Sequence, residues 1–122
     1  MILFVCVHNA GRSVMAEAFA RASGLEAMSA GTEPGGAPHP DVVEAMAEVG
    51  LDVAAHRGVL LTDQMVAGAS AVYTMGCAVD AQACPAILYA DVIDWGLDDP
   101  KGQPIERVRE IRDQIRARVE AL

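Results

Sequence analysis

With 122 residues, 52% of them hydrophobic, the chain is long enough for one core and is expected to form a single domain over residues 1–122. A formal net charge of −8 argues against a nucleic-acid surface, and it makes the global field repel anions, so an anionic ligand must be drawn in locally. No stretch approaches the ~20 apolar residues that span a bilayer, and the N-terminus lacks the basic region of a signal peptide, so a cytoplasmic protein that does not enter membranes is expected.

Residues 1–7 are a continuous apolar run, the pattern of a strand buried on both faces of a parallel sheet. From Ser13 onward Met15, Ala18, Phe19 and Ala22 recur at helical spacing. Between the two lies Cys6-Val7-His8-Asn9-Ala10-Gly11-Arg12-Ser13, a C-x5-R loop that runs straight into a helix N-terminus. There the unpaired N–H groups and the positive end of the dipole favour an anion. Gly11 permits a tight turn, and the amides of Val7, His8, Asn9, Ala10 and Gly11 can turn inward as a nest. Arg12 adds a planar fork of donors suited to two oxygens of a tetrahedral oxyanion. The same surroundings favour thiolate over thiol at Cys6, a nucleophile that then needs no histidine base. Ser13 is placed to donate a hydrogen bond to that thiolate, and Asn9 to brace the loop. A strand-end cysteine beside a surface arginine would be inert. The order of strand, glycine, Arg-Ser and amphipathic helix favours the functional loop instead.

A short strand is expected within residues 26–31, and the glycine- and proline-rich loop 31–40 can wall one side of the anion site, with His39 in solvent. Pro40 suits the first turn of a helix whose apolar face is Val42, Val43, Met46 and Val49 and which ends near Gly50. Residues 52–61 carry no clear pattern, and His56 and Arg57 are either surface groups or supports behind the site. Thr62 or Asp63 can cap a short helix through Met65 and Val66. Residues 70–75 read as a third strand that delivers Gly76 and Cys77 to the sheet edge where ligands bind in open parallel sheets, the edge that also holds Cys6.

A fourth strand is expected over 86–93, followed by a loop, 94–102, that contains Asp98 and Asp99. These are either turn residues or the source of a general acid, with Asp99 favoured because Pro100 restrains its backbone. From Pro104 the chain is helical to its end. Ile105, Val108, Ile111, Ile115 and Val119 form the buried stripe, while Arg107, Arg109, Arg112, Arg116 and Arg118 alternate with acids as a solvated face of i,i+4 pairs. Strands alternating with helices give an α/β fold, a four-stranded parallel sheet with right-handed crossovers and helices on both faces.

Cys77 and Cys84 lie seven residues apart. In a helix they would share a face but sit about 10.5 Å apart along the axis, at about 1.5 Å per residue. A disulfide tolerates only about 4.4–6.8 Å between Cα atoms. Oxidation would therefore require the segment to unwind, and Gly76 and Pro85 make its ends adaptable. In a reducing compartment three thiols can form a relay, in which one thiolate bonds a reducible oxyanion, a second attacks the first, and a third takes over the disulfide. The plainer alternative is that Cys77 and Cys84 are small core residues.

Assembled in this way, the chain resembles the thioredoxin-coupled arsenate reductases built on the low-molecular-weight tyrosine phosphatase fold. The likeness runs through the 6–13 loop, Ser29-Ala30-Gly31, the Cys77 and Cys84 pair, Trp95-Gly96, Asp98-Asp99-Pro100 and the final helix. It implies strand order 2-1-3-4 and a monomer with no tightly bound cofactor and thioredoxin as electron donor. It also implies arsenate as substrate, with phosphate or sulfate as analogues. Under this resemblance Cys6 attacks arsenate, Arg12 and the loop amides hold its oxygens, and Asp99 protonates the departing oxygen. Cys77 then attacks Cys6, and Cys84 attacks Cys77. Lys101 follows the aspartate-proline pair where many phosphatases of this fold carry tyrosine, which weakens an aryl-phosphate reading. Asn9, Glu17 and Ser29 match three potassium ligands of some reductases, but no acidic fourth stands near Val59, so no metal is expected. The alternatives are a phosphatase with Cys77 and Cys84 as a redox switch, a mycothiol-dependent reductase and a non-catalytic anion sensor.

Overall fold

The N-terminal apolar run becomes β1 (Ile2–Cys6), and it is continuous because both of its faces are covered. Phe4 and Cys6 belong to one buried cluster, Leu3 and Val5 to another on the opposite face. A computed structural model describes residues 1–76 and 92–122. In it β1 is followed by α1 (Arg12–Ala22), β2 (Ala27–Gly31), α2 (Pro40–Ala47), α3 (Asp63–Gly68), β3 (Ala71–Thr74), β4 (Val92–Asp94) and α4 (Ile105–Glu120). The sheet order is β2-β1-β3-β4 with every pair parallel, as the resemblance implied.

The larger cluster packs α1, α2 and α4 on the Phe4 face, through Met15, Phe19, Met46, Ile111 and Ile115 among others. The smaller one sets Leu3, Val5, Ala30 and Val72 against Met65 and Val66 of α3 on the other face. Phe4, Tyr73 and Trp95 form an aromatic group with centroids 4.9–5.8 Å apart. Such pairs add roughly 0.5–1.5 kcal/mol each beyond area burial. This group joins β1, β3 and the segment after β4 near the edge where the candidate site lies.

Several expected elements are found with shifted bounds. In α1, Met15 and Phe19 are buried as expected, but Ala22 is exposed, and Val14, Ala16 and Ala20 complete the inner face. The stripe is wider than a single row because α1 packs against both the sheet and α4. α2 ends at Ala47, and the Leu51 N–H reaches back 3.0 Å to the Met46 carbonyl around Gly50, whose φ of +81° gives a left-handed stop. Thr62, rather than Asp63, caps α3 by accepting the Met65 N–H. β4 runs through Asp94, where a loop is expected from the sequence; the 86–91 part of the expected strand lies outside the described residues.

The α4 stripe is buried at Val108, Ile111, Ile115 and Val119. Its arginines depart from a face of i,i+4 pairs. Arg116 pairs with Glu120 in that way, but Arg109 and Arg112 both reach Glu48 at the end of α2, and Arg107 bonds Asp98 and Glu110. The partner lies across the helix interface because α2 packs on α4, an arrangement that helical spacing does not reveal. The Arg109 hydrogen bonds are the main reason the Glu48 carboxyl is held below its ordinary pKa. Among the described residues no helix is long and apolar enough to cross a membrane.

Candidate active site

β1 ends at Cys6, and the chain turns through residues 7–11 before α1 begins at Arg12. The carbonyls of Val7, His8, Ala10 and Gly11 each accept an N–H from elsewhere: Glu33 at 2.8 Å, Gly35 at 2.8 Å, His39 at 3.0 Å and Met15 at 3.1 Å. Holding the carbonyls outward leaves the amides of His8, Ala10 and Gly11 without a protein acceptor among the described residues. Three such free donors in one tight loop are what an anion-binding nest requires. The cavity at this point has a volume of about 110 Å³ and is lined by Cys6, Val7, His8, Ala10, Gly11, Arg12, His39 and Asp99. It is an ion-sized space, well below the roughly 300–1,000 Å³ of organic-ligand pockets. A larger recess of about 500 Å³ behind α1 includes Glu17 and His56 but neither Cys6 nor Arg12.

Behind the loop a hydrogen-bond chain runs to the sulfur, and one unambiguous donor fixes its direction. The Val59 backbone N–H donates to Asn9 Oδ1 at 3.0 Å, so that atom is the amide oxygen. Asn9 Nδ2 must then donate to Ser13 Oγ, 2.8 Å away. The Ser13 hydroxyl hydrogen is left for Cys6 Sγ, also at 2.8 Å. The same reasoning makes His56 Nε2 a donor to Asn9 Oδ1 at 3.0 Å, because that oxygen can only accept. Ser13 and Asn9 are both fully buried, and Asn9 holds a left-handed φ of +50°. A strained, buried asparagine with three side-chain hydrogen bonds shapes the loop from behind, while its neighbours face the cavity.

Arg12 Nη1 donates to the carbonyls of Met75, 2.9 Å away, and Leu97, 2.7 Å away. No other protein acceptor of Arg12 is found among the described residues, so Nε and Nη2 remain as donors. Asp99 lines the cavity and accepts the Lys101 N–H at 2.9 Å in a tight turn. Asp98 points instead to Arg107 on α4, which separates the two aspartates that the sequence left as a choice.

Other expectations change. His39, expected in solvent, is half-buried, precedes α2 and lines the cavity, because its N–H is tied to Ala10 in the loop. His56 is a support behind the site, whereas Arg57 is exposed and donates to the nearby carbonyls of Ala54 and His56. Gly31 also shapes the site, which its place at the end of a short strand only hints at. A Cβ at Gly31 would lie 2.6 Å from the Val7 oxygen and 2.9 Å from the Asn9 nitrogen, so β2 presses directly on the loop. A glycine at a strand end signals such an approach. Cys77 and Cys84 lie outside the described residues. The three side chains that match potassium ligands are engaged with one another or with neighbours: Asn9 Oδ1 already accepts two N–H groups, and Ser29 Oγ donates to Glu17 at 3.0 Å.

The model of the low molecular weight phosphotyrosine protein phosphatase family matches residues 1–122. The chain belongs to that family. Among curated members, a protein of Halobacterium salinarum provisionally named an arsenate reductase is 41% identical over 95% of this chain and 85% of its own length. The arsenate reductase of Staphylococcus aureus strain Newman is 34% identical over 98% of this chain and 92% of its own. A solved arsenate reductase in its phosphate-binding state superposes with a TM-score of 0.83 and 33% identity, over 98% of this chain and 93% of that one. The family thus includes both phosphatases and proteins named as reductases, and the C-x5-R loop at the end of β1 does not tell them apart.

Proposed function

We propose that this chain reduces arsenate to arsenite through a relay of Cys6, Cys77 and Cys84, as a single domain and a monomer, with thioredoxin as electron donor and no tightly bound cofactor. The Cys6 thiolate, stabilised by the Ser13 hydroxyl, attacks the arsenic of an arsenate whose oxygens are held by the loop amides and Arg12. Asp99 gives a proton to the departing oxygen, which leaves as water and yields a Cys6 thioester of As(V). The Cys77 thiolate attacks Cys6 Sγ. The sulfur–arsenic bond breaks with its electron pair passing to arsenic, arsenite leaves, and a Cys6–Cys77 disulfide remains. Cys84 attacks Cys77, which frees Cys6, and the thioredoxin dithiol reduces the Cys77–Cys84 disulfide.

The observation that carries the reductase reading is the contact between Arg12 and the chain just before Cys77. The guanidinium bonds the Met75 carbonyl and packs against Gly76, so the last described residues after β3 stand beside the anion site. The relatives named as arsenate reductases support the same reading. The test is NADPH consumption with arsenate, thioredoxin and thioredoxin reductase. Sustained turnover by the intact protein and at most one equivalent of arsenite from Cys84→Ser are expected. Hydrolysis of an aryl phosphate that Cys84→Ser leaves intact, without arsenate turnover, would make the chain a phosphatase. Turnover with mycothiol alone would replace thioredoxin as the donor.

A further inference from the structure

An arginine fork discriminates anions only when it is held still, and residues that touch no substrate hold this one. Arg12 Nη1 is divided between the Met75 and Leu97 carbonyls, which come from the end of β3 and the loop after β4. Gly76 sits against this junction. A Cβ there would lie 2.5 Å from Arg12 Nη1 and 2.7 Å from the Leu97 oxygen, and the φ of +143° is one that L side chains rarely adopt. The guanidinium end could swing aside, but the Leu97 carbonyl is backbone and could not. Gly76 is itself pinned, because its N–H donates to Asp94 Oδ1 at 3.0 Å. The same oxygen accepts Thr74 Oγ1 at 2.7 Å, while Oδ2 accepts the Gly96 N–H at 3.0 Å. One carboxylate thereby ties together the two backbone segments that grip the guanidinium.

We propose that Gly76 is a positioning residue for oxyanion binding: its missing side chain is the seat of the Arg12 guanidinium, and Asp94 fixes that seat. This rests on residues 6–13 being the oxyanion site. Committing Nη1 to two carbonyls aims the remaining Nε–H and Nη2 donors as a preorganised fork. A Cβ at Gly76 breaks one or both carbonyl bonds and lets the fork swing.

The experiment is a double-mutant cycle read by inorganic phosphate binding in NMR titrations, on the full chain with wild type, Gly76→Ala, Arg12→Lys and the double variant. Gly76→Ala is expected to weaken phosphate binding at least tenfold. In the Arg12→Lys background, where no guanidinium needs the seat, it is expected to change binding less than twofold. If Gly76→Ala does not fold, Asp94→Asn makes the same test. It keeps the shape but sets an N–H2 group against one of the donors, and is expected to weaken phosphate at least threefold. Wild-type binding by Gly76→Ala, or by Asp94→Asn where it stands in, overturns the inference. So does an equal loss in both Arg12 backgrounds. Failure of the underlying site reading looks different: the wild type does not bind phosphate, or Arg12→Lys binds it as tightly as wild type.

Discussion

Asn9 is the residue at which the loop is most exposed to a single substitution. Its side chain is fully buried, makes three hydrogen bonds to Ser13, His56 and Val59, and stands on a backbone with φ of +50°. In Asn9→Ala all three bonds are lost, at roughly 1 kcal/mol each. Alanine in a left-handed conformation adds about 1 kcal/mol. The expected loss is therefore about 4 kcal/mol, a large fraction of the roughly 5–15 kcal/mol that holds a domain folded. Asn9→Gly loses the same bonds but tolerates the backbone, so it should be about 1 kcal/mol less damaging than alanine. Urea denaturation of the three proteins, with slopes compared as well as midpoints, gives the values. In both variants Cys6 should also alkylate more slowly, because the Ser13 hydroxyl is no longer directed at the sulfur. An alanine variant that loses less than about 1 kcal/mol, or a glycine variant less stable than the alanine one, would refute this account of the loop.

Removing the hydroxyl in Ser13→Ala takes away a hydrogen bond to the Cys6 sulfur, worth about 0.5–1.5 kcal/mol, and the Cys6 alkylation rate should fall about two- to tenfold. Gly31→Ala should cost about 1–3 kcal/mol through overpacking, since the new Cβ meets the loop backbone rather than a side chain, and a phosphate titration should show the anion site weakened with it. Glu48 should confer acid-sensitive stability. Its pKa is lowered in the folded state, chiefly by the Arg109 hydrogen bonds, so the stabilisation is present above its ordinary pKa and is lost as pH falls through the lowered value. Thermal midpoints of wild type and Glu48→Gln should accordingly differ at pH 7 and converge in acid, and a constant gap across that range would contradict the assignment.

The strand, loop and helix layout around Cys6 and Arg12 was legible from one stretch of sequence because each part of it is local. An apolar run, a cysteine, a glycine, Arg-Ser and a helical repeat follow one another within residues 1–22, and strand periodicity and helix starts depend on neighbours a few positions away. The buried stripe of α4 was readable for the same reason. Asp99 could be favoured over Asp98 from its proline neighbour, but only the fold turned Asp98 toward Arg107 and left Asp99 at the cavity.

Tertiary structure decided everything that depends on residues far apart in the chain. His56 and Val59 reach Asn9 across 47 and 50 positions, and they set the proton direction that ends on the Cys6 sulfur. Arg12 finds its two carbonyls 63 and 85 positions away, and Gly76 matters only because a guanidinium from α1 fills the space its side chain would take. His39 enters the cavity wall because its N–H is tied to Ala10, and Glu48 draws two arginines off their own helix because α2 packs on α4. A sequence states which donors and acceptors exist. Which of them meet is decided by how the crossovers fold back on the sheet, and no local pattern encodes that distance.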